Sequence, residues 1–145
     1  MCLRDRFIAF SAEEWQATGS TAYVAALPQE ERDRITGVLT LDMFTSKNAP
    51  FIFGYYEDAS VSRSFFSMVS AAAKDAGLLF GYDTPYQMMS DSTPFEAAGI
   101  PAVLVTQNKA EEEYHTENDR SEFVDPERME FGYQLAMSLI RRCAA

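Results

Sequence analysis

Short apolar runs with strand character alternate with apolar stripes at helical spacing along this chain, and this alternation limits the possible folds more than any other feature. Residues 35–41 (ITGVLTL) are β-branched and apolar on both faces, the pattern of a strand covered on both sides. Residues 101–106 (PAVLVT) read as a second buried strand, residues 7–10 (FIAF) as a shorter one ended by Ser11, and residues 78–82 as a fourth. Residues 51–56 fit either a short strand or an aromatic loop. Between these runs, Ser11 followed by Glu14 reads as the N-cap and third position of a helix that continues through Tyr23, Val24 and Leu27 and stops before Pro28. Phe65, Met68, Val69 and Ala72 mark a helix over 61–76 that ends at Gly77. A short helix over 93–98 closes at Gly99. Pro126 opens the last helix, with an apolar stripe of Met129, Tyr133, Leu135, Ala136, Leu139 and Ile140. Arg141 and Arg142 lie at its negative end.

Strands alternating with helices predict an α/β fold of three layers, a mainly parallel central sheet with helices on both faces. No repeat, low-complexity tract or linker interrupts the pattern, so residues 1–145 read as one unit. The composition, 47% hydrophobic with a net charge of −10, supports a packed core and excludes some partners. An excess of 22 acidic over 12 basic residues repels nucleic-acid phosphates and anionic membrane surfaces, and it suits cations where carboxylates converge. No apolar run approaches the roughly 18 residues that span a bilayer, and the charged N-terminal residues do not read as a signal peptide. Cys2 and Cys143 lie near opposite ends, which argues against a disulfide framework or a cysteine metal cluster. A serine hydrolase is disfavoured as well, because the chain has no Gly-x-Ser-x-Gly elbow.

In such sheets ligands bind beyond the carboxyl ends of the strands, and four candidate residues fall there. Glu13 and Glu14 follow the 7–10 run, Asp42 follows the 35–41 run, and His115, the one histidine, follows the 101–106 run. Each also has an ordinary structural reading. The two glutamates can complement a helix dipole, with Glu14 closing a capping box on Ser11. Asp42 can be a turn residue, and His115, beside Glu111, Glu112 and Glu113, a solvated loop residue.

Together these residues carry a resemblance. Residues 7–20 resemble the Phe-x-x-x-x-Ala-Glu-Glu-x-x-x-x-Gly-Ser segment of the co-catalytic dizinc exopeptidases. That superfamily includes bacterial aminopeptidases, glutamate carboxypeptidases, glutaminyl cyclases and the transferrin-receptor ectodomain. Leu41-Asp42-Met43 is similar to its strand-ending Leu-Asp-Met. Ser90-Asp91-Ser92-Thr93-Pro94-Phe95 through Gly99-Ile100-Pro101-Ala102 is similar to its Ser-Asp-His-x-Pro-Phe…Gly-Ile-Pro-Ala. Residues Tyr114-His115-Thr116 with Asp119 match its Tyr-His-Thr-x-x-Asp. The resemblance runs from Phe7 to about Ile140.

The resemblance implies a zinc-dependent, aminopeptidase-type exopeptidase acting on peptides. Glu13 would take a proton from metal-bound water, Glu14 and His115 would bind one zinc, and Asp42 the other. Asp119 would accept a hydrogen bond that orients His115, and Met43, Tyr86, Met88 and Met89 would line an apolar side-chain pocket. In the family, a His-x-Asp segment and a metal-bridging Asp precede the Glu-Glu pair. Here only twelve residues precede Glu13, with Asp5 the sole acid, and Ser92 stands for the motif histidine. The chain is therefore expected to be N-terminally truncated relative to the family's catalytic domain. It would supply three of five zinc ligands, so one ion or none would bind well. It is also expected to pair with a missing N-terminal segment or with a second copy as a homo-oligomer. Two other readings stay open: a non-catalytic relative that serves as an interaction module, and a glutaminyl cyclase-like transferase.

Overall fold

Residues 102–107 are apolar up to Thr106, a run that fits only the interior of a sheet. The computed structural model describes residues 5–47, 52–82, 89–107 and 112–144. Its helices and strands in chain order are α1 (Thr18–Ala26), α2 (Gln29–Arg32), β1 (Val38–Leu41), β2 (Ile52–Tyr55), α3 (Ala59–Asp75), β3 (Gly81–Tyr82), α4 (Thr93–Ala97), β4 (Ala102–Gln107) and α5 (Pro126–Ala144). A single 3-10 turn, Ser121–Phe123, precedes α5. All six residues of β4 are buried, as expected of an inner strand.

The strand order is β1-β4-β2-β3. β1 runs parallel to β4, with Leu41 opposite Val105, and β2 runs parallel to β3. β2 and β4 are antiparallel, with Gly54 opposite Val105, so the sheet is mixed, with two of its three pairings parallel. β2 reaches β3 through α3, a helical crossover that returns the chain in the same direction. Residues 42–47, the described part of the connection from β1 towards β2, are not helical.

Period-two alternation along β4 divides the core between the two faces. Val103 and Val105 pack with Phe65, Val69, Ala72 and Ala73 of α3 and with Leu135 and Leu139 of α5. Ala102 packs on the other side with Val24 of α1, Phe95 of α4 and Ile100. α3 begins where the Asp58 carboxylate accepts the Ser60 N–H at 2.7 Å. It ends where left-handed Gly77 lets the Leu78 N–H reach Ala73 O at 2.9 Å. Arg142, near the end of α5, pairs with Asp75 at 2.8 Å. None of the described helices is long and apolar enough to cross a membrane.

Three expectations need correction. Residues 7–10 form no strand: Phe7 and Ile8 are exposed and no described strand lies beside them to pair. Phe10 instead packs its ring against Tyr23 and Phe95. α1 starts at Thr18, not after Ser11, because Ala12, Gln16 and Ala17 have left-handed backbone that a right-handed helix cannot include. Glu13 and Glu14 thus lie in a turn and not in a capping box. In the 78–82 run only Gly81 and Tyr82 join the sheet. The ambiguous 51–56 run does contain a strand, β2.

Candidate metal centre

Because β1 and β4 are parallel, their carboxyl ends share one edge of the sheet. The ladder between them continues past the strands: the Asp42 N–H donates to Val105 O and the Gln107 N–H to Met43 O, each at 3.0 Å. Asp42 is therefore fixed through its backbone as it leaves β1. Its side chain is held too, since the Ser90 hydroxyl donates to Asp42 Oδ2 at 2.9 Å.

Glu13 and Glu14 sit in a tight knot ahead of α1. The Trp15 and Thr18 N–H groups both donate to Ala12 O, at 3.2 and 3.1 Å, and the Ala17 N–H donates to Glu13 O at 2.7 Å. The Thr18 hydroxyl closes the knot on Trp15 O. Gly19 is required here, because a Cβ at that position would collide with the Ser11 carbonyl.

His115 arrives on the loop after β4, and its Nε2 donates to Glu14 Oε1 at 2.7 Å across 101 sequence positions. The Tyr114 ring stacks on the imidazole with centroids 3.7 Å apart. Glu14, Met43, His115, Asp119, Arg120 and Phe123 are among the residues that line a cleft of about 290 Å³. One wall is stitched by the Ser46–Val124 bridge, by the Asp125 N–H donating to Thr45 O at 2.7 Å, and by the Ser46 N–H donating to Gln107 Oε1 at 2.9 Å.

Burial pushes the Glu13 carboxyl above its ordinary pKa, and the charges of Asp42, Glu14 and Asp91 push it the same way, against His115. Burial likewise raises Asp42, opposed by the Ser90 hydrogen bond and reinforced by Asp91 and Glu14. The Tyr114 hydroxyl is raised by burial and by the surrounding carboxylates, so it stays protonated. Glu13 and Asp42 thus both feel the charges of Glu14 and Asp91. Charge that costs energy without a partner becomes favourable once a cation sits there.

Met43 and Asp119 line the same cleft. Met89 instead lines a groove between α1 and α4, and Tyr86 and Met88 lie outside the described residues. Ser90 and Tyr114 stand within the motif segments, yet the motifs alone gave neither a role. Carboxylate and imidazole donors suit zinc, and the 2.7 Å hydrogen bond between His115 and Glu14 brings one of each together. Among the described residues no three such donors gather around one point.

Residues 5–139 match the model of peptidase family M28. Leupeptin-inactivating enzyme 1 of Streptomyces exfoliatus is 35% identical over 96 residues, covering 66% of this chain and 21% of that protein. The fold is similar to that of an aminopeptidase from Aneurinibacillus sp. strain AM-1, with a TM-score of 0.77 and 32% identity over 90% of this chain and 31% of that one. It is also similar to BSAP, a zinc aminopeptidase from Bacillus subtilis, with a TM-score of 0.80 and 26% identity over 93% of this chain and 34% of that one. The chain thus spans about a third of the length of these solved structures and about a fifth of the Streptomyces protein.

Proposed function

Since the chain belongs to peptidase family M28, we propose that it carries part of the zinc centre of an aminopeptidase-type exopeptidase that removes N-terminal residues from peptides. The observation that carries this reading is the 2.7 Å contact between His115 and Glu14, two residues from distant loops that meet at the carboxyl edge of the sheet. Glu14 and His115 would hold one zinc ion and Asp42 a second. Zinc supplies Lewis acidity, which makes water acidic near neutral pH and polarises the scissile carbonyl.

Glu13 takes the proton of the attacking water and returns it to the leaving amine. Asp119, on the loop that carries His115, orients the imidazole. Met43 and Phe123 give the cleft apolar wall for a substrate side chain. The exposed Phe7, Trp15 and Leu79 are surface through which the chain would associate with a second copy or with another segment of its family's fold.

Zinc calorimetry tests the reading. Two protein donors make half of a tetrahedral set, so binding should be micromolar or weaker and should disappear in His115→Ala and in Glu14→Ala. Glu13→Gln should leave it intact. Nanomolar affinity indifferent to His115→Ala would mean that other residues bind the metal.

A further inference from the structure

Five non-glycine residues among those described have left-handed backbone: Ala12 (φ 58°), Gln16 (φ 59°), Ala17 (φ 50°), Met43 (φ 49°) and His115 (φ 61°). All five fall in the three segments that carry Glu13, Glu14, Asp42 and His115. The left-handed glycines lie elsewhere, Gly77 just past α3 and Gly99 just past α4. Where the fold needs only to end a helix, the chain uses glycine. Where it presents the candidate donors, it uses residues with a Cβ.

That choice has a cost. In the left-handed region the Cβ crowds a carbonyl oxygen, and alanine, glutamine and methionine lack the short polar side chain that lets asparagine or aspartate compensate locally. Such residues persist only where their surroundings over-determine the backbone. The surroundings do so here. Ala12 O accepts two N–H bonds, Ala17 donates back to Glu13 O, and Met43 O accepts from Gln107 inside the extended ladder. Glycine at the same positions would relieve the strain but would also open the extended and mirror-image regions that a Cβ forbids.

We infer that Ala12, Gln16, Ala17 and Met43 are positioning residues. Held left-handed by the fold, they narrow the conformations of the donor loops, so that Glu14 and His115 meet before any metal arrives. The inference rests on the metal reading for its purpose, but the preformed contact itself is measurable without metal.

Ala12 and Gln16 are exposed, so Ala12→Gly and Gln16→Gly remove strain with no loss of packing. Ala22, exposed in right-handed α1, gives the control Ala22→Gly. His115 is the one histidine, so a single set of imidazole NMR signals in the metal-free protein reports on the Glu14 contact. The double variant Ala12→Gly/Gln16→Gly should melt at or above the parent temperature, yet shift or broaden the His115 signals and weaken zinc binding about tenfold. Ala22→Gly should melt lower while leaving the His115 signals and zinc affinity unchanged. A double variant with parental signals and parental zinc affinity overturns the inference. A parent that binds no zinc, with His115 signals that still move in the double variant, removes the metal reading and keeps the positioning. Signals that stay fixed in that case remove both.

Discussion

Ser90 and Asp42 lie 48 positions apart in sequence, yet the Ser90 hydroxyl donates to Asp42 Oδ2 at 2.9 Å where β1 ends. Burial disfavours the charge on Asp42, and this bond is the largest influence opposing that effect. Ser90 is itself 1% exposed, so water does not replace its hydroxyl. Ser90→Ala should therefore cost about 1.5–3 kcal/mol in metal-free urea unfolding, the range for a hydrogen bond to a charged group. A change within the ±0.5 kcal/mol of a neutral surface substitution would show that Asp42 finds another donor.

Glu96 makes a second buried carboxylate contact that no motif announces. It is 6% exposed, and its two oxygens accept the Glu57 and Asp58 N–H groups at 2.9 Å each. The contact ties α4 to the start of α3. Glu96→Gln keeps the volume but turns an NH2 group toward an N–H donor, so one bond is lost and a buried donor is left unpaired. We expect a loss of about 2–3 kcal/mol in chemical denaturation with no change in zinc affinity. Parental stability would mean that the new amide and the 57–58 backbone rearrange together.

The sequence showed the buried strand β4, the stripe of α3 and the start of α5 at Pro126, because each rests on a periodic pattern that packing then exploits. Parallel β1 and β4 put Asp42 and the loop of His115 at one edge of the sheet, whereas Glu14 reaches His115 from a turn and not from the end of a strand over 7–10. Sequence reading failed at Ser11–Ala17, where a capping-box pattern was present but the backbone turns left-handed at three residues without a glycine to signal it. Local chemistry favoured a helix there, and the bonds from Trp15, Ala17 and Thr18 prevailed. The 7–10 run misled for a different reason. Apolar character predicts burial against something, and only Phe10 of that run has a described partner, in Tyr23 and Phe95. The antiparallel β2–β4 pairing was hidden because strand direction depends on the connection, not on the strand's own residues.

Asp58 supplies a pH-dependent prediction away from the site. Its carboxylate accepts from the Ser60 hydroxyl and N–H, and these bonds hold its pKa below the ordinary value of 3.8. The folded state thus binds the proton less readily than the unfolded one. The stabilisation is complete above the ordinary carboxyl range and is lost as the pH falls below about 4, through the lower folded value. Asp58→Ala should melt below the parent at pH 7, and the two melting temperatures should converge in acid. A gap that stays constant from pH 7 to pH 2.5 would mean that the N-cap charge contributes nothing.

Gly132 sets two effects of opposite sign against each other. It lies within α5, where alanine in place of glycine normally stabilises a helix by about 1 kcal/mol. A Cβ there, however, would stand 2.6 Å from Cε2 and Cζ of Phe44. Phe44 is buried in the core beneath α3 and α5, and it follows Asp42 and Met43 in the chain. Its ring cannot retreat without disturbing either the core or the segment that presents Asp42. Overpacking of this kind costs about 1–3 kcal/mol, so against the propensity gain Gly132→Ala should be destabilised by up to about 2 kcal/mol. Phe44→Leu alone should also destabilise, by leaving space beside α5. Combined, the two substitutions should cost less than the sum of their separate effects, because the smaller side chain accommodates the new methyl. Thermal unfolding of the four proteins completes the cycle. Strict additivity, or a Gly132→Ala protein more stable than the parent, would show that α5 and Phe44 separate easily and do not brace the Asp42 segment.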